Sequence, residues 1–360
     1  MQSRVPSKIT RSVSMAVSTT LALAIGVSST SAAFAGELNI LTWEGYADPS
    51  FIKDFETKSS CKVSATYVGS NDDFAPKLAA GSGVYDIIVP SIDTIGQMRL
   101  AGFVDSIDLK KVPEFGQVHA KFRSNPDVTV NGEVWAVPLI WGSVSVLYRT
   151  DKVTQPNSIK VLWNPEYKGR ISLWDDKSAI YWAARMLGYD NIYDLDDTQL
   201  ATIKARLIEQ KPLVRKYWST AGELAQLFLN DEVWVSNAWT GLIAKEIRKG
   251  GKPFTVAEVD PAEKSEGWMD SMMLVKGSPN TDCSYQFINY MLSAKGQCGI
   301  VGSTDYFPTN PVSAKTCLPA EEARSRHLDD PGYVDSLVMW QMPKRLDAYL
   351  ETWNAVKAAM

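Results

Sequence analysis

Twice along this chain, apolar runs of strand length alternate with amphipathic stretches of helix length, and this restricts the fold more than any other feature. The first series is Leu38-Asn39-Ile40-Leu41-Thr42-Trp43, a helix opened by Asp48-Pro49, a strand over 62–68, a helix over 72–80 and the strand Tyr85-Asp86-Ile87-Ile88-Val89-Pro90. Asp48 suits an N-cap and Pro49 a first helical position, while Phe51, Ile52 and Phe55 supply a buried stripe. The second series starts at Arg170-Ile171-Ser172-Leu173-Trp174, ends that strand at Asp175-Asp176, and continues with helices over 177–188 and 197–210. Trp218-Ser219-Thr220 closes a short segment, and the strand Val233–Asn237 leads into Ala238-Trp239-Thr240. Strand and helix in alternation at short spacing imply parallel sheets covered by helices. Ligands of such sheets lie beyond the carboxyl ends of the strands.

Between the two series lies Val134–Tyr148, a long apolar run broken by Pro138 and Gly142. It reads as two strands joined near Trp141-Gly142 that pass from a first domain into a second. A return crossing is expected at Gly267-Trp268-Met269-Asp270-Ser271-Met272-Met273-Leu274-Val275, whose apolar second half suits a strand buried on both faces. The chain thus predicts an α/β, bilobal fold with hinge strands crossing out and back. The expected lobes are 36–142 plus 270–316, and 143–269 plus 317–360. Within the second half, 282–292 reads as a helix, 296–319 as a Gly/Pro-rich loop region, and 335–360 as a final helical segment carrying Trp340 and Gln341.

The first 35 residues have the layout of a cleaved secretory signal: Arg4, Lys8 and Arg11, then the mostly apolar run Val17–Val27, then Ala33-Phe34-Ala35 before Gly36. Removing them leaves 325 residues, a size that favours two domains. It also moves the formal charge from -4 to about -7, which argues against nucleic acid and suits a basic ligand. A soluble periplasmic monomer is expected. Cys61, Cys283, Cys298 and Cys317 show no CxxC spacing, so disulfides are expected in that oxidising compartment rather than a metal or redox centre. Of three pairings, Cys298 with Cys317 closes a local loop and leaves Cys61 with Cys283, with the other two left open.

The strand ends carry a recurring pair of residue types. Trp43, Glu44 and Tyr46 follow the first strand, Ser91 and Asp93 the third, Asp176 and Trp239 end strands of the second series, and Trp268 and Asp270 share one face of the return crossing. Indole faces and buried carboxylates together hold a desolvated cation. Each residue alone has an ordinary explanation, core packing for a Trp and helix capping for Asp176. Their convergence on one cleft is what points to a ligand.

With these residues in place, the chain resembles the periplasmic polyamine-binding proteins of ABC importers, the spermidine/putrescine branch of the bilobal solute-binding proteins. The likeness covers nearly the whole mature chain. It is densest in Leu41-Thr42-Trp43-Glu44-Gly45-Tyr46, Tyr85–Ser91, Pro138-Leu139-Ile140-Trp141-Gly142, Trp163-Asn164-Pro165-Glu166-Tyr167-Lys168-Gly169 and Trp268-Met269-Asp270-Ser271. The resemblance implies a ligand between Trp43, Tyr46, Trp239 and Trp268, ammonium groups on Asp270 and Asp176, and polar contacts from Ser91, Ser219 and Gln341. It also implies an inner-membrane ABC permease as partner and no cofactor.

Two departures bear on the ligand. Spermidine binders carry a Tyr where this chain has Asp93, and a second acid where it has Ala179, beside Lys177. A polyamine-like cation is the first expectation. The alternative is an ω-amino acid or opine-like compound with one cationic end, its anionic end met by Lys177 or by an Arg that the sequence does not place. An enzyme is the competing class, and a glycosidase-type pair among Asp93, Asp176 and Asp270 is its only foothold. With His119 and His327 the only histidines, and no Gly-x-Ser-x-Gly or metal-ligand spacing, neither a catalytic residue nor a metal site is expected.

Overall fold

The computed structural model describes residues 36–81, 83–325 and 332–359. The signal-peptide reading of 1–35 lies outside the described residues. Among these, no helix is long and apolar enough to cross a membrane.

Eight strands form the main path of one twelve-stranded sheet. In chain order they are β1 (Gly36–Thr42), β2 (Cys61–Tyr67), β3 (Ile87–Ile88), β4 (Val137–Arg149), β5 (Ile171–Trp174), β6 (Val214–Trp218), β7 (Val235–Trp239) and β8 (Glu266–Val275). Their spatial order is β2-β1-β3-β8-β4-β7-β5-β6. The pairs β1–β2, β1–β3, β5–β7 and β5–β6 are parallel. By contrast β3–β8, β8–β4 and β4–β7 are antiparallel. Two parallel sets of three, one from each series of the sequence, are therefore joined through a central antiparallel pair. Helices supply the crossovers that parallel neighbours require. The helix Pro49–Ser59 starts where expected, with the Asp48 carboxylate accepting from the Ser50 N–H at 2.8 Å, and it buries Phe51, Ile52 and Phe55.

Three expectations are corrected. The run at 137–149 is one strand of 13 residues, every one buried, and not two. Pro138 is accommodated at a shift in register against β8 between Asp270 and Ser271, where a missing ladder donor is tolerated. Gly142 does not break the strand, because the Trp268 indole lies over it: a Cβ there would be 2.5 Å from Trp268 Cζ2. The region 296–319 is largely helical, with helices at Ala294–Thr304 and Pro311–Cys317. Its glycines serve close approach rather than flexibility, a Cβ on Gly299 falling 2.5 Å from the Phe51 side chain. The last segment is not helical throughout. A short strand, Val338–Met339, pairs with β8, and the closing helix is Leu346–Ala358.

Both disulfides join distant or looped elements, Cys61 with Cys283 and Cys298 with Cys317. The first ties β2 to the helix Thr281–Leu292.

Candidate ligand-binding cleft

The strand ends and the central pair enclose a small cavity of about 20 Å³, lined by Trp43, Glu44, Tyr46, Ser91, Trp174, Trp239, Trp268, Asp270, Tyr306 and Trp340. Trp43 follows β1 directly, and Trp174 and Trp239 are the last residues of β5 and β7. Trp268 and Asp270 lie at alternate positions of β8 and share its cavity face. Tyr46 is reached through the turn at Gly45, whose φ of 87° is the left-handed conformation that glycine adopts at low cost.

The indoles are fixed by their N–H groups. Trp43 Nε1 donates to the Val89 carbonyl at 2.8 Å, Trp268 Nε1 to the Ser143 carbonyl at 3.2 Å, and Trp340 Nε1 to the Glu266 carboxylate at 2.7 Å. Edge-to-face contacts then lock the rings against one another. Trp174 and Trp239 have centroids 5.0 Å apart, Trp43 and Trp239 5.8 Å, and Trp268 and Tyr306 4.6 Å. Such contacts each add about 0.5–1.5 kcal/mol beyond burial and make the wall rigid.

One buried carboxylate faces this wall. Asp270 is 3 % exposed. One of its oxygens accepts from Ser91 Oγ at 2.5 Å and the other from the Tyr46 hydroxyl. Burial pushes the Asp270 carboxyl up to about 7, against the opposing effect of the Ser91 and Tyr46 hydrogen bonds. An acid destabilised by desolvation in a cavity lined by aromatic rings is a strong receptor for a cation, which restores the favourable electrostatics that water would have given. Glu44 lines the cavity from an exposed position and reaches the Gly222 N–H at 3.4 Å.

Four of the residues expected at the site do not line the cavity. Asp93 and Asp176 lie in a separate buried cluster around Lys177, whose Nζ is 3.0 Å from Asp93 and 3.4 Å from Asp72. Asp176 accepts from Ser70 Oγ at 2.8 Å, the Asn71 N–H at 3.2 Å and the Ser178 N–H at 2.8 Å. It is a helix-terminus acceptor, the ordinary role of a carboxylate just before a helix. Lys177 is likewise engaged with acids and is absent from the cavity wall, which corrects the expectation that it meets an anionic end of the ligand. Ser219 is exposed, its N–H donating to Glu223 at 2.7 Å, and Gln341 is exposed.

Three lining residues were missed. Trp174 ends a strand as Trp239 does, so the strand-end rule applied to it equally. Trp340 was assigned to a helix, whereas its N–H donates to the Gly267 carbonyl at 2.8 Å and so extends the pairing with β8. Tyr306 follows Asp305, a residue at φ 61° that ends the helix Ala294–Thr304, and no local pattern points to it.

Comparison with known proteins agrees with this geometry. Residues 50–324 match the family model described as bacterial extracellular solute-binding protein. The spermidine/putrescine-binding periplasmic protein of Salmonella typhimurium is 29 % identical over 329 residues, covering 89 % of this chain and 90 % of its own. A putative spermidine/putrescine ABC transporter structure from Listeria monocytogenes superposes with a TM-score of 0.80 at 24 % identity, covering 89 % of this chain and 99 % of that one. A binding protein from A. tumefaciens in complex with glucopine has a TM-score of 0.73 at 19 % identity, with coverage of 89 % and 99 %. Its folded relatives are bilobal, and with the family match spanning most of its length, the chain belongs to the bacterial extracellular solute-binding proteins.

Proposed function

We propose that this protein captures a cationic amine in the periplasm and presents it, by hinge closure, to an inner-membrane ABC permease. The observation that carries this reading is Asp270, a buried carboxylate held by the Ser91 and Tyr46 hydroxyls in a cavity that six further aromatic side chains line. Such a site gains about 0.5–2 kcal/mol from each well-placed ring and strongly disfavours a neutral or anionic ligand. Polyamines are the first ligand class, since the relatives named for spermidine and putrescine cover most of both chains. The lobes are 36–142 plus 270–316, and 143–269 plus 317–360, with β4 and β8 as the hinge. The protein works as a monomer, takes no nucleic acid, and acts by capture without chemistry. The glycosidase-type alternative has lost its support, because Asp93 and Asp176 are engaged away from Asp270.

A second reading, an amino compound with one cationic end, draws on the same engagement of Asp93 and Asp176 and on the fold shared with the glucopine complex. Titration calorimetry with putrescine, spermidine, 4-aminobutanoate and glucopine, alongside quenching of tryptophan fluorescence, tests both readings. Saturable binding of a polyamine supports the first, and binding of only the amino acids supports the second. Heat and quenching from none of the four would remove the cationic-amine reading.

A further inference from the structure

Glu266 is a buried acid that the cleft as described leaves unused. It stands on β8 at alternate positions with Trp268 and Asp270, so the three share one face of the strand. It is 0 % exposed and does not itself line the cavity, but its hydrogen-bond partner Trp340 does. One oxygen accepts the Trp340 indole N–H at 2.7 Å. The other accepts no hydrogen bond and faces the Arg185 guanidinium at 3.7 Å, while that guanidinium donates to the Lys264 carbonyl. Burial pushes the Glu266 carboxyl up to about 7, against the opposing effects of Arg185 and of the bond from Trp340.

Three contacts converge on Trp340. Its backbone N–H donates to the Gly267 carbonyl at 2.8 Å, its ring stacks on Trp174 with centroids 5.9 Å apart and planes at 15°, and its indole N–H meets Glu266. Gly267 lets this segment lie close to β8, since a Cβ there would fall 2.4 Å from the Met339 sulfur. The acceptor on Trp340 differs from its neighbours'. Trp43, Trp174 and Trp268 give their indole N–H groups to the backbone carbonyls of Val89, Gly69 and Ser143, whereas Trp340 gives its own to a carboxylate.

We infer that Glu266 is a positioning residue of the cleft: through the indole N–H it fixes the Trp340 ring and makes that ring a stronger receptor for the ligand's cation. The inference rests on the proposal that the cleft captures a cationic amine, and adds to it the residue that tunes one aromatic wall. Fixing follows from burial. Turning the ring away would strand the N–H and remove the only hydrogen bond the Glu266 carboxylate accepts. Tuning follows from charge. An anion that accepts the N–H polarises the indole toward negative charge, and that charge is what attracts a cation to the ring. Arg185, at 3.7 Å and without a hydrogen bond to Glu266, leaves this polarisation largely in place.

The test is a double-mutant cycle, read by calorimetry at about pH 8 with whichever of putrescine, spermidine and 4-aminobutanoate binds wild type most tightly. Glu266→Gln keeps the size of the side chain and a carbonyl acceptor for the indole N–H but removes the charge. Trp340→Phe keeps a ring and removes the N–H. Glu266→Gln is expected to weaken binding about fivefold in the wild-type background, and by less than about twofold in the Trp340→Phe background. An equal loss in both backgrounds, or none in either, overturns the role of Glu266 while leaving amine capture intact. A second measurement needs no change at Glu266, and so stands even if that variant does not fold. In wild type labelled with ¹⁵N-tryptophan, the Trp340 indole resonance is assigned by its absence from Trp340→Phe and followed against pH. Saturating amine is expected to lower its titration midpoint by about 0.7 pH unit, which is the same fivefold factor read from the side of the proton. A midpoint that the amine does not move overturns the inference. If none of the three compounds binds wild type, amine capture fails, and this inference with it.

Discussion

At the residue scale the site depends on one carboxylate. Asp270→Ala is expected to weaken capture of the cation by at least about 2 kcal/mol, since the ligand's ammonium would be buried without its counter-charge. Calorimetry on the variant reads this directly, and unchanged affinity would take Asp270 out of the site. A pH dependence follows from the same group. The Asp270 carboxyl is raised to about 7 in the folded protein, above its ordinary value of 3.8. Between those values the folded state holds more protons than the unfolded chain, so ionising Asp270 lowers the stability of the ligand-free protein as pH rises through this window. Cation binding needs the ionised form. Affinity is therefore expected to fall about tenfold per pH unit below 7 and to level off above it, and Asp270→Asn should abolish that slope.

At the element scale the sequence was legible where a side chain answers to its own strand and illegible where it answers to a neighbour. Trp43, Trp239, Trp268 and Asp270 sit at strand ends or alternate positions, and period-two geometry places them without knowledge of the rest of the chain. Asp93 and Asp176 follow the same rule of position but are claimed by Lys177, Ser70 and Asn71, contacts set by tertiary packing. Gly142 misled for a related reason. It reads as a break between strands, yet it is the space in which the Trp268 ring rests. Gly142→Ala is accordingly expected to push that indole into the cavity, destabilising the fold by about 1–3 kcal/mol through overpacking and weakening ligand binding. Thermal melts and tryptophan fluorescence check both effects. A variant with wild-type melting and affinity would show that the indole is not held by this contact.

At the scale of the whole molecule, the bonds that cross between the two parallel sets are the ones closure must make. Trp174 Nε1 donates to the Gly69 carbonyl at 2.8 Å, Asp176 accepts from Ser70 and Asn71, and the Tyr181 hydroxyl donates to Asp93 at 3.2 Å. If the halves swing about β4 and β8, these bonds stabilise the closed form and are absent from the open one. A group acting only on the closed form changes apparent affinity through the population of that form, not through contact with the ligand. Tyr181→Phe isolates this effect, because the residue is buried, the change nearly preserves shape, and the hydroxyl does not line the cavity. Losing one hydrogen bond to a carboxylate is worth roughly 1–2 kcal/mol, so apparent affinity is expected to drop about 5- to 30-fold. The melting temperature of the ligand-free variant should stay at the wild-type value, and small-angle scattering should show the same contraction at saturating ligand. An equal loss of stability without ligand would mean that the bond exists before capture, and that the two halves do not separate in the resting protein.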